Sequence, residues 1–209
     1  MIVISLWSSN LAERSGSYGP SSTAYNNLGY LLDLLGATRA SARMFDRARM
    51  GDVRAQCRAY VSQGLLALGR ADFDTAVTLF ARAKFVAEEA GDRFSAASAI
   101  SSLGTVCELR GEFAGALAQA DALTEAARIS GNRRFALWAE IATGTANTLL
   151  GRDAEAIAWI SRRGDALAGE DILTTIGVHG LRAYAYLRAG DLAEALRHAD
   201  RGAVEIRRT

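Results

Sequence analysis

Two histidines, two cysteines and one lysine are the side chains of this 209-residue chain with the most chemistry to offer. His179 and His198 could act as general bases or metal ligands. Cys57 and Cys107 could act as nucleophiles or zinc ligands, and Lys84 could contact a phosphate. Their surroundings argue against each role. Lys84 stands in "ARAKFV" with no glycine-rich loop before it, so a P-loop is excluded. No GxGxxG, serine nucleophile elbow or HExxH occurs. Neither histidine has a motif around it; His198 falls late in the last predicted helix, where a cation suits the negative end of the dipole. The cysteines are 50 residues apart with no partner motif, which speaks against a disulfide framework or a zinc site and suits a reducing compartment. Cys107 lies on an apolar stripe and reads as a small core residue, whereas Cys57, between arginines in "RAQCRAY", reads as a surface thiol. Glu88, Glu89 and Glu112 fall on helix surfaces and turns, and two acids alone do not make an acid–base pair. No catalytic residue, metal or cofactor is assigned, and the chain is not expected to be an enzyme.

Composition narrows the class further. The net charge of +1 recruits neither nucleic acid nor an acidic membrane surface. No apolar run approaches the length of a membrane span, about 18 residues. The start "MIVISLW" lacks the basic region and cleavage site of a signal peptide, so a cytoplasmic location is the expectation. Alanine, leucine and arginine dominate, and the single proline leaves helices uninterrupted.

The elements that carry these residues repeat. Five 14-residue windows share one frame: "LDLLGATRASARMF" (32–45), "ALGRADFDTAVTLF" (67–80), "CELRGEFAGALAQA" (107–120), "NTLLGRDAEAIAWI" (147–160) and "YLRAGDLAEALRHA" (186–199). Each has a glycine near its middle, displaced by two residues in the second copy, and a small residue nine places after its start: Ser41, Ala76, Ala116, Ala156, Ala195. A second series is in phase with the first. Gly16, Gly51, Gly91 and Gly131 each precede another glycine by 13 residues: Gly29, Gly64, Gly104 and Gly144. The pattern reads as helix, tight turn, helix, tight turn, with Asp52, Asp92, Asn132 and, less favourably, Glu170 capping the first helix of each pair. Glycines 29, 64, 104 and 144 then lie inside first helices, each at a cost of about 1 kcal/mol against alanine. Close approach of the paired second helix is the compensation, with the small residues 41, 76, 116, 156 and 195 across the contact.

These phrases resemble tetratricopeptide-type repeats. The likeness is strongest in "AYNNLGYLLDLLG" with Phe45 and Ala48, and in Tyr60, Gly64, Ala76, Phe80 and Ala83. Later copies place Ala120, Ile160 and Ala199 where the second-helix aromatic belongs, and the family's proline after the second helix is replaced by Gly-Asp-type turns. "EEAGDRFSAASAISSLG" and "SGNRRFALWAEIATG" resemble the longer repeats that follow ATPase or cyclase modules in large bacterial signalling and regulatory proteins. The resemblance implies an all-α, right-handed superhelical solenoid of antiparallel helix pairs. Residues 1–209 would form one such solenoid, with repeats at about 21–50, 52–90, 92–130, 132–168 and 170–208.

It also implies a site. In that family the first helices line a concave groove, which here places Asn26, Asn27, Tyr30, Arg58, Ser62, Ser101, Ser102, Thr105, Trp138, Thr145, Tyr184 and Arg188 inward, along with Leu65, Ser98 and Glu108. The family's clamp for chaperone carboxyl termini is not reproduced, because Ser62, Ser98 and Ser102 stand where charged or amide side chains are needed. A protein or peptide partner in the groove is the leading expectation; the alternative is a small-ligand sensor. By the same frame residues 1–15 are a second helix without its first. Ile2, Val3, Ile4, Leu6 and Trp7 would then be an assembly surface, either for a homodimer or for the rest of a larger protein.

Overall fold

The computed structural model describes residues 7, 10–11, 14, 18–159 and 172–207. Among these there is no strand. The helices are α1 (Tyr18–Leu34), α2 (Thr38–Arg49), α3 (Val53–Gly69), α4 (Phe73–Glu89), α5 (Arg93–Leu109), α6 (Phe113–Ser130), α7 (Arg133–Leu149), α8 (Ile172–Arg188) and α9 (Leu192–Arg207). A further helical stretch, 153–159, follows α7. The fold is all-α and built from antiparallel helix pairs. It divides into two compact units, Met1–Val106 and Cys107–Thr209. Of the apolar residues expected to form an assembly surface, Ile2, Val3, Ile4 and Leu6 lie outside the described residues, as does Glu170; Trp7 is helical and 67% exposed.

The turns inside the pairs share one hydrogen-bond pattern. Asp72 N–H bonds the Ala67 carbonyl at 2.9 Å while Ala71 N–H bonds that of Leu68; the same two bonds recur at Glu112/Gly111, Arg152/Gly151 and Asp191/Gly190. This is the Schellman closure, which satisfies the last carbonyls of a helix and puts one residue in the left-handed region. Gly36, Gly111, Gly151 and Gly190 occupy that position with φ between 74° and 83°. In the second pair Ala71 occupies it instead, at φ 58°, and the displaced Gly69 does not serve the turn.

Side-chain caps fix the other ends. Asp52 accepts from Ala55 N–H, Asp92 from Phe94 and Ser95 N–H, and Asn132 from Arg134 N–H. Asp72 and Asp191 cap α4 and α9 in the same way. Gly91 and Gly131 adopt positive φ between pairs, but Gly51 does not. At Gly51 an added Cβ would come within 2.8 Å of Ser22 Cβ and Ala55 Cβ, so that glycine permits close approach to α1 rather than a turn.

Three of the first-helix glycines, Gly29, Gly64 and Gly144, do meet their partner helices closely, although the atoms across from them differ from expectation. A Cβ on Gly29 would lie 3.2 Å from the Phe45 ring, one on Gly64 2.8 Å from two atoms of the Phe80 ring, and one on Gly144 2.7 Å from the Trp159 ring. Aromatic rings, not the small residues, press on the glycines. Ser41, Ala76, Ala116, Ala156 and Ala195 are buried, which lets the pair close around the ring. In the first unit Phe45, Ala48, Ala59 and Leu66 form one cluster, and Phe80, Ala76, Ala67 and Val106 another. In the second, Leu137 packs on Val178, while Ile157 and Trp159 pack on Leu181 and Ala185.

Candidate interaction cleft

Residues of α3 and α5 face one another across a cleft of about 460 Å³ within the first unit. About two turns of α3 contribute Arg54, Cys57, Arg58 and Val61; the opening of α5 contributes Phe94, Ser95 and Ser98. Positions 54, 58 and 61 share a face because they are one helical turn apart. Asp92 positions the α5 wall by accepting Ser95 Oγ–H at 2.9 Å as well as the two amides. Its carboxyl is held below the ordinary range: burial opposes ionisation, but the Ser95 bonds and the Arg54 guanidinium, 3.3 Å away, outweigh it. Arg58 donates to Thr23 Oγ1 of α1 at 2.8 Å and remains exposed. Phe94 leaves 44% of its surface open at the rim. The cleft therefore offers an aromatic edge, an aliphatic floor, hydroxyls and a guanidinium, a set suited to seating a side chain with a polar neighbour.

Cys57 corrects the sequence reading. It is 2% exposed and its Sγ lies 3.5 Å from the Ala83 carbonyl, so it belongs to the floor of the cleft and is no surface thiol. Burial, then the charge of Asp92, pushes its pKa up, leaving a protonated thiol. The flanking arginines, Arg54 and Arg58, line the same cleft, but burial and the charge of Asp92 prevail over them at the thiol. Cys107, expected in the core, is only half-buried, and its thiol too is raised by burial.

Of the twelve inward residues inferred from the family, the cleft contains Arg58; Ser98, from the wider set, is there as well. Asn26 is 5% exposed, and its Oδ1 is buried without a hydrogen-bond partner, so burial withdraws it from any surface contact. Asn27 is exposed; Tyr30 is half-buried against the Phe45 cluster. Ser62, Ser101 and Ser102 are half-buried and Thr105 is exposed. Several hydroxyls of this face are spent on their own helices: Ser102 donates to the Ser98 carbonyl, Thr105 to Ser101 and Thr145 to Ile141. A partner would meet them as acceptors and as small surfaces, not as free donors.

In the second unit Trp138 is half-buried, its ring 6.0 Å from that of Phe135. Arg188 pairs with Asp153 at 2.9 Å, and Asp153 and Tyr184 together stabilise its guanidinium. Glu108 is half-buried near the end of α5, and burial pushes its carboxyl up to about 7. His198 is no helix-end cation: it is 4% exposed, with its pKa driven down to about 4 by burial and by Arg182. Its ring meets that of His179, a contact that spacing alone did not announce because the two residues sit on different helices.

No helix among the described residues is long and apolar enough to cross a membrane. No group of three or more metal-ligating side chains occurs among them.

No family profile and no curated protein sequence matches the chain. Among solved structures it is similar to BtubC (BKLC) from P. vanneervenii, with a TM-score of 0.73 and 18% identity over 98% of this chain and 89% of that one. A MamA mutant aligns over 88% of this chain and 96% of its own, with 19% identity and a TM-score of 0.44. The first likeness concerns the fold alone, an all-α array of helix pairs.

Proposed function

We propose that the chain is a non-catalytic interaction module that holds a peptide or protein segment against its first-helix face, with the cleft between α3 and α5 as its anchor point. The observation that carries this reading is the cleft itself: exposed Phe94 and exposed Arg58 flank a floor made of Val61 and a protonated thiol. An aromatic rim beside an apolar floor supplies binding energy, and a guanidinium supplies orientation. The module acts in the cytoplasm, as part of a bacterial signalling or regulatory protein, without contact to nucleic acid. Residues 1–15 give it a second contact, to another copy or to another part of a longer polypeptide.

Panning a displayed peptide library on the protein tests this directly. Enriched peptides should bind the wild type and lose about 30-fold in affinity to both Phe94→Ala and Arg58→Glu, corresponding to about 2 kcal/mol at a hot spot. Thermal stability should be kept, because both side chains are exposed. Peptides that bind the two variants as well as the wild type would remove the cleft from the account. Displacement of bound peptide by a small cytoplasmic metabolite would instead support a ligand sensor. Light scattering on the full chain and on a chain lacking 1–15 tests the second contact: a dimer that becomes a monomer supports it, and a monomer in both cases removes self-assembly.

A further inference from the structure

His179 and His198, the only two histidines of the chain, meet in the core of its last helix pair. Their Nδ1 atoms are 3.2 Å apart and their rings are stacked at 5.4 Å between centroids. Tyr186, seven residues after His179 on α8, stacks on His198 with its ring 5.7 Å away and nearly parallel. His198 of α9 is thus gripped by two rings of α8, and a Cβ added at Gly202 would lie 3.5 Å from the Cβ of His179.

An Nδ1-to-Nδ1 hydrogen bond has one proton to share: one nitrogen carries it and the other offers a lone pair. If both rings are cationic, both Nδ1 atoms carry protons, and two N–H groups and two positive charges face each other with no acceptor between. The surroundings sharpen the conflict. Arg182, which is buried on α8, and Arg197 and Arg201 on α9 all act on His198 with the same sign. Glu194, one turn earlier on α9, opposes them, with its oxygen 3.9 Å from His198 Nε2. Behind α8, α7 and the stretch 153–159 meet it through the apolar Leu137, Ile141, Ile157 and Trp159, and through the ion pair of Asp153 with Arg188 at the C-terminal end of α8.

We propose that the His179–His198 pair is an acid-labile latch: neutral, it clamps α9 to α8, and on taking up protons it releases α9 before the rest of the chain unfolds. The pair is silent while neutral and turns repulsive when charged, so the response is confined to one helix. Unfolded histidine titrates near 6.5, whereas His198 in place titrates near 4; the open form therefore binds protons more readily in that interval and gains population as pH falls through it.

Because the chain has two histidines, two imidazole Cε1–H signals report the latch by NMR without ambiguity. Peptide-level hydrogen exchange, corrected for the intrinsic pH dependence, reports the helix. Between pH 7 and about pH 4.5 the opening of α9 should rise by about tenfold or more, while that of α4 changes little. His198→Phe keeps a ring between His179 and Tyr186 but cannot titrate, and should abolish the α9 response. His179→Gln, which keeps a neutral hydrogen-bonding partner, should reduce it. An equal rise in His198→Phe, a rise shared by α4, or an imidazole titrating at or above 6.5 would each overturn the proposal. If the phenylalanine variant does not fold, the wild-type titration and exchange still decide.

Discussion

Replacing Gly64 by alanine isolates the contact on which the helix pairs are built. Two effects oppose each other. Alanine in the middle of α3 gains about 1 kcal/mol of helix propensity. Its Cβ, however, would lie 2.8 Å from Phe80 Cδ1 and Cζ, well inside van der Waals contact. Phe80 is fully buried and walled by Ala67, Ala76 and Val106, so the ring has no free direction in which to yield. Overpacking of this kind costs about 1–3 kcal/mol, and the net change should be a loss of about 1 kcal/mol. Other glycines calibrate the balance. Gly29→Ala meets Phe45 at 3.2 Å, a conflict of a few tenths of an ångström, and should be close to neutral. Gly177 and Gly180 in α8 have open space around the added Cβ, and alanine there should stabilise by about 1 kcal/mol each. Urea unfolding followed by far-UV circular dichroism gives the order, and hydrogen exchange assigns each effect to its own helix pair. In a Phe80→Leu background the penalty at Gly64 should shrink, giving a measurable coupling between the two positions. A Gly64→Ala protein as stabilised as Gly177→Ala would refute the reasoning.

Other predictions concern a backbone and a charge. Ala71→Gly should stabilise the α3–α4 turn by about 0.5–1 kcal/mol, because the left-handed conformation costs a non-glycine residue about 1–2 kcal/mol and part of the relief is lost to the greater freedom of unfolded glycine; an unchanged urea midpoint would count against the turn geometry. Glu108→Gln should stabilise the chain above pH 7 and change little near pH 4.5. The folded carboxyl keeps its proton up to about 7 and the unfolded one only to 4.5, so stability falls as pH rises through that window. A pH-independent effect of the substitution would contradict it. The Glu108 and His198 titrations slope in opposite directions, which is why the latch must be read locally on α9 and not from a global melting curve.

The repeat frame was legible because backbone geometry constrains residue type. A left-handed turn residue and a ring pressed on a helix both select glycine, and an amide-capping position selects aspartate or asparagine, so Gly111, Gly144 and Asp92 carry their reasons in the sequence. What the glycines are for was less legible. Gly51 and Gly91 stand at equivalent places, yet one admits Ser22 and the other turns the chain. Ala71 holds the turn from which Gly69 is displaced, a substitution that the repeat conceals because alanine tolerates the strain. The cleft was read only in part: Arg58 and Ser98 could be carried over from the family, whereas Cys57 required knowing which helix face is covered. The histidine pair illustrates the limit best. No motif joins residues 19 apart, but folding the last window about Gly190 in the register that sets Gly64 against Phe80 brings 179 and 198 to neighbouring turns.

The most direct test of the central claim is the NMR map of a library-selected peptide on the isotopically labelled full chain. The account predicts the largest shifts at Val61, Phe94 and Ser98, with Arg58 Nε–H perturbed and the α6 and α9 signals unchanged. Shifts concentrated on α6 or α9, with the α3–α5 cleft silent, would contradict it.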